Sequence, residues 1–367
     1  MKKLKGYIWI LILVVLLLIL AGLIIGLFRM SIQNDEEKTI VGGVFLDDID
    51  DGGWSENHYN GLKTACDALG LKLEVVTNVE EKAASEEAAV EELVSKGCNV
   101  IFLTSEGYGM DMYPVMAKYN NVEFYTVSPN SELSNVTTYF CRLYEMRYLA
   151  GMIAGRITQS NILGYVAGGR NPQVTRGINA FTLGARSVNQ DVTVKVRYLD
   201  NWTDPEDEYL QAKKLITEDG ADLITYHASL NTAIDAAEEL GAYSVGYGMD
   251  IKGYSDKCLT SVIYHWDVVY RKILEDFLKG AITDNHYYFL GMREGAVSFT
   301  DVTNIVSPDV KLLVDAKRKV FAKGSFVFEG EIISNTGKVM CRKGERISDD
   351  ALLRRMNWFV EGVEVYE

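Results

Sequence analysis

The chain has 367 residues, of which 48% are hydrophobic and 24% are charged, a composition typical of a soluble protein with two domain-sized units. This composition excludes a disordered tail, a collagen and a coiled coil. The 51 acidic residues outnumber the 37 Lys and Arg residues and give a net charge of −14, which argues against nucleic acid as a partner because phosphate binding needs clustered cations.

The N-terminus differs from the rest of the chain. Three lysines lie in residues 1–6, and residues 7–28 carry no charged side chain. Such a run is about long enough to cross a bilayer core of roughly 30 Å as a helix, and it exceeds the apolar core of a cleaved signal peptide. The lysines before it predict a cytoplasmic stub at 1–6, a single-pass anchor at 7–28, a linker at 29–38 and an extracytoplasmic body. The first cysteine is Cys66, so a lipid-anchored N-terminus is not predicted.

From Thr39 onward, short β-rich runs alternate with amphipathic helical patterns, which is typical of parallel sheets covered by helices. The predicted strands are residues 39–45, 72–76, 100–104, 122–127, 162–166, 192–198, 222–225 and 243–246. The predicted helices among them are residues 57–69, 83–95, 142–158, 174–188, 206–217 and 231–240. Two successive β/α halves predict an N-terminal lobe at 39–150 and a C-terminal lobe at 151–262.

The helix predicted at 142–158 carries four small residues at helical spacing, which indicates close packing against a neighbouring element. These residues are Ala150, Gly151, Ala154 and Gly155. The chain continues with a strand at 259–263, a helix at 267–278, a hairpin-like stretch at 287–299 and a helix at 308–322. We expect residues 263–367 to recross between the lobes and to complete both.

Glycine-rich and polar residues follow the predicted strands, and ligands of open α/β sheets bind at the carboxyl ends of such strands. The first strand ends in the aspartate-rich run Asp47–Asp51, and Trp54 follows it with a flat ring on which a planar ligand can stack. Ser55 is a candidate cap for the next helix. The third strand is followed by Tyr108, whose ring we expect to face Trp54 and to complete an aromatic sandwich.

The second half of the chain supplies polar groups at the corresponding strand ends. They are the amide of Asn171, the imidazole of His227 and the carboxylate of Asp250. A few polar groups in an otherwise apolar cleft fix the orientation and the identity of a ligand.

Sequence signatures of catalysis are missing. The chain has no G-x-S-x-G, no G-x-x-x-x-G-K-[ST] and no H-E-x-x-H, and its five cysteines form no C-x-x-C pair. We therefore predict neither a metal nor a cofactor. The Asp47–Asp51 cluster keeps a calcium-dependent nucleoside hydrolase as an alternative, although its spacing is poor for an EF-hand loop.

Five segments of the chain carry a recognisable pattern. They are residues 139–151 (YFCRLYEMRYLAG), 176–186 (RGINAFTLGAR), 246–250 (GYGMD), 259–266 (LTSVIYHW) and 356–362 (MNWFVEG). In this order they resemble the basic membrane protein family of ABC-transporter substrate-binding proteins, which includes purine nucleoside receptors. The resemblance spans essentially the whole body and implies a type I periplasmic-binding-protein-like α/β fold, with two doubly wound parallel-sheet lobes joined by a three-crossover hinge.

The resemblance also implies a function without a chemical reaction, namely capture of a purine nucleoside or nucleobase between the lobes. It implies that Trp54 stacks on the base, that Tyr108 forms the opposite wall and that carboxylates take the ribose hydroxyls, with Asp250 in the second lobe. Asp51 is a further candidate ligand-binding residue in the first lobe. Three more residues fall on cleft-lining positions of the family, and these are Asn171, His227 and Trp266.

We therefore predict a membrane-anchored solute-binding protein that serves an ABC permease and whose two lobes close over the ligand. The family's lipid-attachment cysteine is missing here, which keeps a membrane-tethered nucleoside sensor or regulator with the same fold as an alternative. A cytosolic repressor is disfavoured because an apolar run stands where a DNA-binding headpiece belongs.

Overall fold

The computed structural model describes residues 20, 22–23, 39–109, 112–128, 133–248, 250, 254–281 and 287–366. The predicted stub at 1–6, the linker at 29–38 and all but three residues of the anchor at 7–28 lie outside these residues. Within the described part of the chain, no helix is both long enough and apolar enough to span a membrane.

In the described residues, the first lobe is built on a sheet of six parallel strands. The strands are β1 (Ile40–Val44), β2 (Lys72–Val76), β3 (Val100–Leu103), β4 (Glu123–Thr126), β5 (Val136–Cys141) and β11 (Tyr287–Leu290), in the spatial order β11-β5-β4-β3-β1-β2. The helices of this lobe are α1 (Trp54–Leu69), α2 (Ala83–Ser95), α3 (Tyr113–Met116) and α8 (Trp266–Leu278). Helices α1 and α8 pack against each other.

The sheet of the second lobe has seven strands among the described residues. They are β6 (Ile162–Ala167), β7 (Thr193–Tyr198), β8 (Leu223–His227), β9 (Tyr243–Gly248), β10 (Cys258–Tyr264), β12 (Val297–Phe299) and β15 (Val363–Tyr366), in the order β12-β10-β9-β8-β6-β7-β15. Strand β12 is antiparallel to β10, and the other pairs are parallel. The helices are α4 (Tyr144–Ile157), α5 (Pro172–Arg186), α6 (Pro205–Thr217), α7 (Thr232–Glu239) and α9 (Pro308–Ala322).

The C-terminal tail, residues 328–366, adds further short elements. These are β13 (Ile332–Ile333), β14 (Val339–Cys341) and α10 (Asp349–Arg354), and β15 then ends the tail at the edge of the second sheet. Strands β13 and β14 pair with each other outside both main sheets.

The predicted α/β architecture with two parallel-sheet lobes is confirmed, but the hairpin predicted at 287–299 is wrong. Strand β11 pairs with β5 in the first lobe, whereas β12 pairs with β10 in the second. A pattern of alternating hydrophobic residues predicts that a segment is a strand, but it does not predict which other strand the segment pairs with. The connection between β11 and β12 is therefore a crossover between lobes.

The chain crosses between the lobes three times. The first crossover follows β5 and leads through Arg142 to α4, the second follows β10 and leads through His265 to α8, and the third is residues 291–296. These three segments form the hinge between the lobes.

Candidate functional site

A cavity of about 380 Å³ lies between the two lobes, at the carboxyl ends of the strands of both sheets. Its volume lies within the range of pockets that hold small molecules. The first lobe contributes Leu46, Asp47, Trp54, Asn57, Glu81, Ser105, Glu106 and Gly107. The second lobe contributes Gly169, Arg170, Asn171, Gln173, Trp202, Thr203, Ala228, Ser229, Asn231, Tyr247 and Gly248, and the second crossover adds Tyr264 and Trp266.

Trp54 lines this cavity as the first residue of α1. Its indole is half-buried, and its Nε1 donates a hydrogen bond to the carbonyl of Thr104, at 2.7 Å. The indole packs edge to face on Trp266, with 5.7 Å between the ring centroids, and it contacts His58 at 4.4 Å. The hydrogen bond and the ring contacts hold the indole in one orientation while leaving part of its surface open to the cavity.

Asp51 holds the start of α1 and is not among the cavity-lining residues. Its carboxylate accepts the backbone N–H groups of Gly53, Ser55 and Glu56 at 2.8, 3.1 and 2.9 Å, which satisfies donors that a helix N-terminus leaves open. The prediction that Ser55 caps this helix is wrong, because its hydroxyl accepts the N–H of Asp47 instead, at 3.1 Å. Asp51 thus places Trp54 at the cavity.

The structure does not place Tyr108 opposite Trp54. The ring is 0% exposed in the core beneath the first sheet, and its hydroxyl donates to the carbonyl of Val79 at 2.5 Å. A short 3₁₀ helix at Glu106–Tyr108 turns successive side chains to different sides, so Glu106 reaches the cavity and Tyr108 turns away. The prediction that Tyr108 forms the wall of the cavity opposite Trp54 is therefore wrong.

The second lobe offers a different ring, Trp202, which is not among the predicted site residues. Its half-buried indole lines the cavity and packs on the backbone of Gly168 and Gly169, where an added Cβ would lie 2.5 and 2.8 Å from ring carbons. Two adjacent glycines after β6, and a tryptophan in the loop after the neighbouring β7, are the sequence signal that points to this contact.

Asn171 connects the two lobes. Its Oδ1 accepts the N–H of Val174 at 2.9 Å and caps α5, while its Nδ2 donates to Oε2 of Glu106 in the first lobe at 2.5 Å. Gly53 also approaches the second lobe, because a Cβ there would lie 3.1 Å from the carbonyl oxygen of Ser229. The lobes therefore approach each other at two places next to the cavity.

Trp266 closes the inner side of the cavity at the second crossover. It is 2% exposed and stacks on Tyr264, at 4.9 Å and 19°, and on His58, at 4.0 Å and 29°. Its Nε1 has no hydrogen-bond partner among the described residues.

His227 and Asp250 are not among the residues that line the cavity. His227 is 2% exposed and lies behind the lining residues Gln173, at 3.3 Å between nitrogens, and Tyr247, at 4.2 Å between rings. Burial and then the charges of two neighbouring arginines lower the pKa of His227 well below its usual value, so the imidazole is neutral. Asp250 is exposed.

The first-lobe wall of the cavity is acidic. Burial, followed by the charges of neighbouring carboxylates, raises the pKa of Asp47, and burial raises the pKa of Glu106. Glu81 accepts the N–H of Gly107 at 3.1 Å and also the hydroxyl of Ser105. In the second lobe, Arg170 also lines the cavity and pairs with Asp200, at 3.2 Å, which is not a lining residue.

The Asp47–Asp51 run does not converge on one point. Asp47 lines the cavity, Asp48 accepts a hydrogen bond from Asn78 at 2.8 Å, and Asp51 caps α1. In the described part of the chain, no group of three or more His, Cys, Asp or Glu side chains is arranged to hold a metal ion.

Comparison with known proteins identifies the family. Residues 38–327 match the family model described as ABC transporter substrate-binding protein PnrA-like. The chain is 33% identical to a purine-binding protein of Brucella abortus over 94% of this chain and 97% of that one. It is also 33% identical to a protein of Haloferax volcanii that carries the name of an ABC transporter glucose-binding protein, over 90% and 82% of the two chains.

A solved structure supports the fold. The crystal structure of a transcriptional activator of the comK gene from Bacillus halodurans superposes with a TM-score of 0.69 at 21% identity, covering 78% of this chain and 98% of that one. The family model spans both lobes, the hinge and the cavity between them. The chain therefore belongs to the PnrA-like family of ABC transporter substrate-binding proteins.

Proposed function

We propose that this protein is an extracytoplasmic receptor that captures a purine nucleoside or nucleobase between its lobes and delivers it to an ABC permease. One observation carries the proposal, namely that indoles from opposite lobes, Trp54 and Trp202, line the same cavity of about 380 Å³. Stacking of a heterocycle on an aromatic ring is worth about 1–3 kcal/mol per ring. A flat heterocycle between the lobes would gain this energy twice. The similarity to a purine-binding protein supports the same ligand class.

Polar groups around the rings suit the edges of a purine. Carboxylates of Asp47, Glu81 and Glu106 line the cavity and accept N–H or O–H donors. The same carboxylates repel a phosphate group, so a nucleoside or base is favoured over a nucleotide. We expect the anchor predicted at residues 7–28 to keep the receptor at the membrane.

Hinge closure is the proposed mechanism. Contacts from both lobes to one ligand exist only when the cleft is closed, so binding shifts the population toward the closed state. The hydrogen bond between Asn171 and Glu106 forms across the same cleft and favours the same state. The permease would recognise this closed form.

Calorimetry on the full-length protein in detergent tests the proposal. We expect one of the purines adenosine, inosine, guanosine, adenine and hypoxanthine to bind with a Kd of roughly micromolar or tighter, and glucose not to bind. Binding of glucose alone, or of none of the six compounds, would contradict the proposed ligand class.

Removal of either indole should weaken binding without unfolding the protein. Loss of one stacking contact, in Trp54→Ala or Trp202→Ala, should raise the Kd about 5- to 150-fold. Leu312→Ala, on the exposed face of α9, is the control and should keep the wild-type Kd. An unchanged Kd in both tryptophan variants would exclude the two-ring site.

A tethered nucleoside sensor is the second candidate, because a transcriptional activator shares this fold. Transport of the ligand by a permease reconstituted with this protein would favour the first candidate. The hydrolase alternative is tested by incubating the protein with inosine and calcium and separating the products by chromatography. We expect inosine to be recovered unchanged, because the aspartates of the 47–51 run have separate roles.

A further inference from the structure

Helix α9 presents an apolar face to solvent. Leu312, Leu313 and Val320 are 69%, 36% and 44% exposed, and Ile305, in the turn before the helix, is 41% exposed. These four residues are among only ten exposed large hydrophobic residues in the described part of the chain. A cluster of exposed apolar side chains on a soluble domain marks an interaction surface.

The opposite face of α9 is fixed in the second lobe. Val310, Val314 and Phe321 are buried, and the ring of Phe321 packs edge to face on Tyr148 of α4, with 5.3 Å between the ring centroids. The helix therefore has its own core-facing stripe, and its outer apolar residues are not left over from a misplaced core face.

The charge of α9 is opposite to that of the whole chain. Residues 308–323 carry four lysines and one arginine against two aspartates, a local net charge of +3 in a chain of −14. Two of these cations have partners, because Lys311 donates to the carbonyl of Val302 at 2.9 Å and Arg318 pairs with Asp315 at 2.8 Å. The remaining cations leave the helix basic.

Two of the remaining lysines lie on the same face as the exposed apolar residues. At 100° per residue, six exposed residues fall within an arc of about 120° around the helix axis. They are Leu312, Leu313, Ala316, Lys319, Val320 and Lys323. Aliphatic side chains with lysines beside them are typical of a helix that lies in the interface between water and a lipid bilayer, because the lysine stems extend over apolar surface to anionic headgroups.

This composition favours a lipid surface over a protein partner. Protein interfaces are enriched in aromatic residues and arginine and depleted in lysine, whereas the six residues of this face include two lysines and no aromatic residue. A second copy is also disfavoured, because a two-fold pairing would bring Lys319 and Lys323 close to the same lysines of the other copy.

We propose that this face of α9 binds the surface of a membrane that contains anionic lipids. The inference rests on the proposed location at a membrane, but not on the identity of the ligand between the lobes. The linker expected at 29–38 has ten residues and spans at most about 35 Å, so the predicted anchor would keep the body within reach of the bilayer.

The position of α9 gives the lipid contact a role in orienting the receptor. The helix packs against α4, which follows the first crossover, and against the third crossover. A lipid-bound α9 would therefore place the hinge side of the second lobe at the bilayer, in addition to the tether at the N-terminus.

A spin label on α9 tests the proposal in the full-length protein. The label is attached to Ala316→Cys, since the five native cysteines are buried, and the protein is reconstituted into phosphatidylcholine vesicles with or without phosphatidylglycerol. When phosphatidylglycerol is present, we expect the label to collide more often with oxygen, which concentrates in lipid, than with a water-soluble nickel chelate. Ala84→Cys is the control, because this exposed alanine lies in α2, which is acidic, and its label should stay in water.

Three results of this experiment would overturn the proposal. The first is a label at Ala316→Cys that is as accessible to the nickel chelate as the label at Ala84→Cys. The second is a label that becomes buried only after a permease is added, which would identify a protein partner. The third is dipolar coupling between the labels of two molecules, which would identify a second copy.

Charge variants test the electrostatic part of the contact. Lys319→Gln combined with Lys323→Gln removes two cations near the anionic surface, and the ratio of lipid-bound to free α9 should fall about 30-fold. Lys213→Gln combined with Lys214→Gln, in α6, removes the same charge elsewhere in the second lobe and should leave the ratio unchanged. An equal ratio in both double variants would contradict the assignment of the lysines.

Calorimetry with purines on the same samples separates this inference from the proposed function. We expect the variant without Lys319 and Lys323 to bind purine with the wild-type Kd, because neither lysine lines the ligand cavity. A protein that binds purine while the α9 label stays in water would overturn this inference alone, whereas a lipid-bound label without purine binding would overturn only the proposed ligand.

Discussion

Glu145 lies at the first crossover, and its carboxylate binds the backbone of the third. Its Oε2 accepts the N–H of Met292 at 2.8 Å, and Arg142, Glu294 and Asp349 contribute to the field around it. Burial is the largest cause that raises the pKa of Glu145, to about 7. One residue therefore ties two hinge segments together and titrates near neutral pH.

The raised pKa predicts the direction of a pH effect on stability. The folded pKa exceeds the value of about 4.5 in an unfolded chain, so the folded state binds more protons, and the contribution of Glu145 to stability falls as the pH rises from 4.5 to 7. Glu145→Gln removes this loss and should unfold at a higher temperature than the wild type at pH 8, with the difference vanishing near pH 4.5.

Thermal unfolding of both proteins between pH 4.5 and 8 measures this effect. Glu275→Gln is the control, because that carboxylate is partly exposed and salt-bridged and its pKa is lowered. A constant difference between Glu145→Gln and the wild type across this range would show that the carboxyl does not titrate as expected.

At the level of elements, helices α4 and α5 of the second lobe pack closely against each other. An added Cβ at Gly151 would lie 2.0 Å from the carbonyl oxygen of Phe181, and one at Gly184 would lie 1.9 Å from that of Tyr148. The prediction of close packing by small residues in the first of these helices is confirmed. Only glycine lets the two backbones approach this closely.

Gly151→Ala should separate the two helices and reduce the free energy of unfolding by about 3 kcal/mol, because overpacking a buried contact costs this much when backbone must move. Urea denaturation measures the loss. Gly177→Ala in α5 is the graded control, since its nearest neighbours are side-chain atoms of Tyr165 and His227 at 3.1 and 3.3 Å. Equal losses in the two variants would contradict the backbone contact.

At the scale of the whole molecule, the C-terminal tail forms hydrogen bonds with the hinge. Asp349 in α10 accepts two hydrogen bonds from Arg142 of the first crossover, both at 2.6 Å. Arg142 also donates to the carbonyl of Phe289 in the first lobe, at 2.8 Å, while β15 extends the sheet of the second lobe. The tail therefore contacts both lobes beside the hinge.

Asp349→Asn should leave the charge of Arg142 without its partner in a largely buried place and reduce the free energy of unfolding by about 3 kcal/mol. Asp350→Asn is the matched control, because this neighbouring carboxylate forms solvent-exposed ion pairs and should cost about 1 kcal/mol or less. Urea denaturation measures the free energy of unfolding of both variants. A loss for Asp349→Asn no larger than that for Asp350→Asn would show that the ion pair between Arg142 and Asp349 does not stabilise the hinge.

Much of the fold was predictable from the sequence, because each strand and helix carries its own hydrophobic period. The cavity was also predictable in outline, since Trp54, Asn171 and Trp266 follow predicted strand ends and line it. The position of the Tyr108 ring was not predictable, because a single 3₁₀ turn decides which side of the sheet this ring faces. Trp202 was missed because its role depends on the adjacency of β6 and β7 in space.

The sequence by itself determined the alternation of strands and helices, the acidic character and the family pattern, because these depend on local periodicity, composition and motif order. Only the tertiary structure decided that Glu106 meets Asn171 across the cleft, that β11 and β12 join different sheets and that Trp54 and Trp202 line one cavity. Each of these contacts joins residues far apart in the chain, and their meeting depends on how the lobes pack.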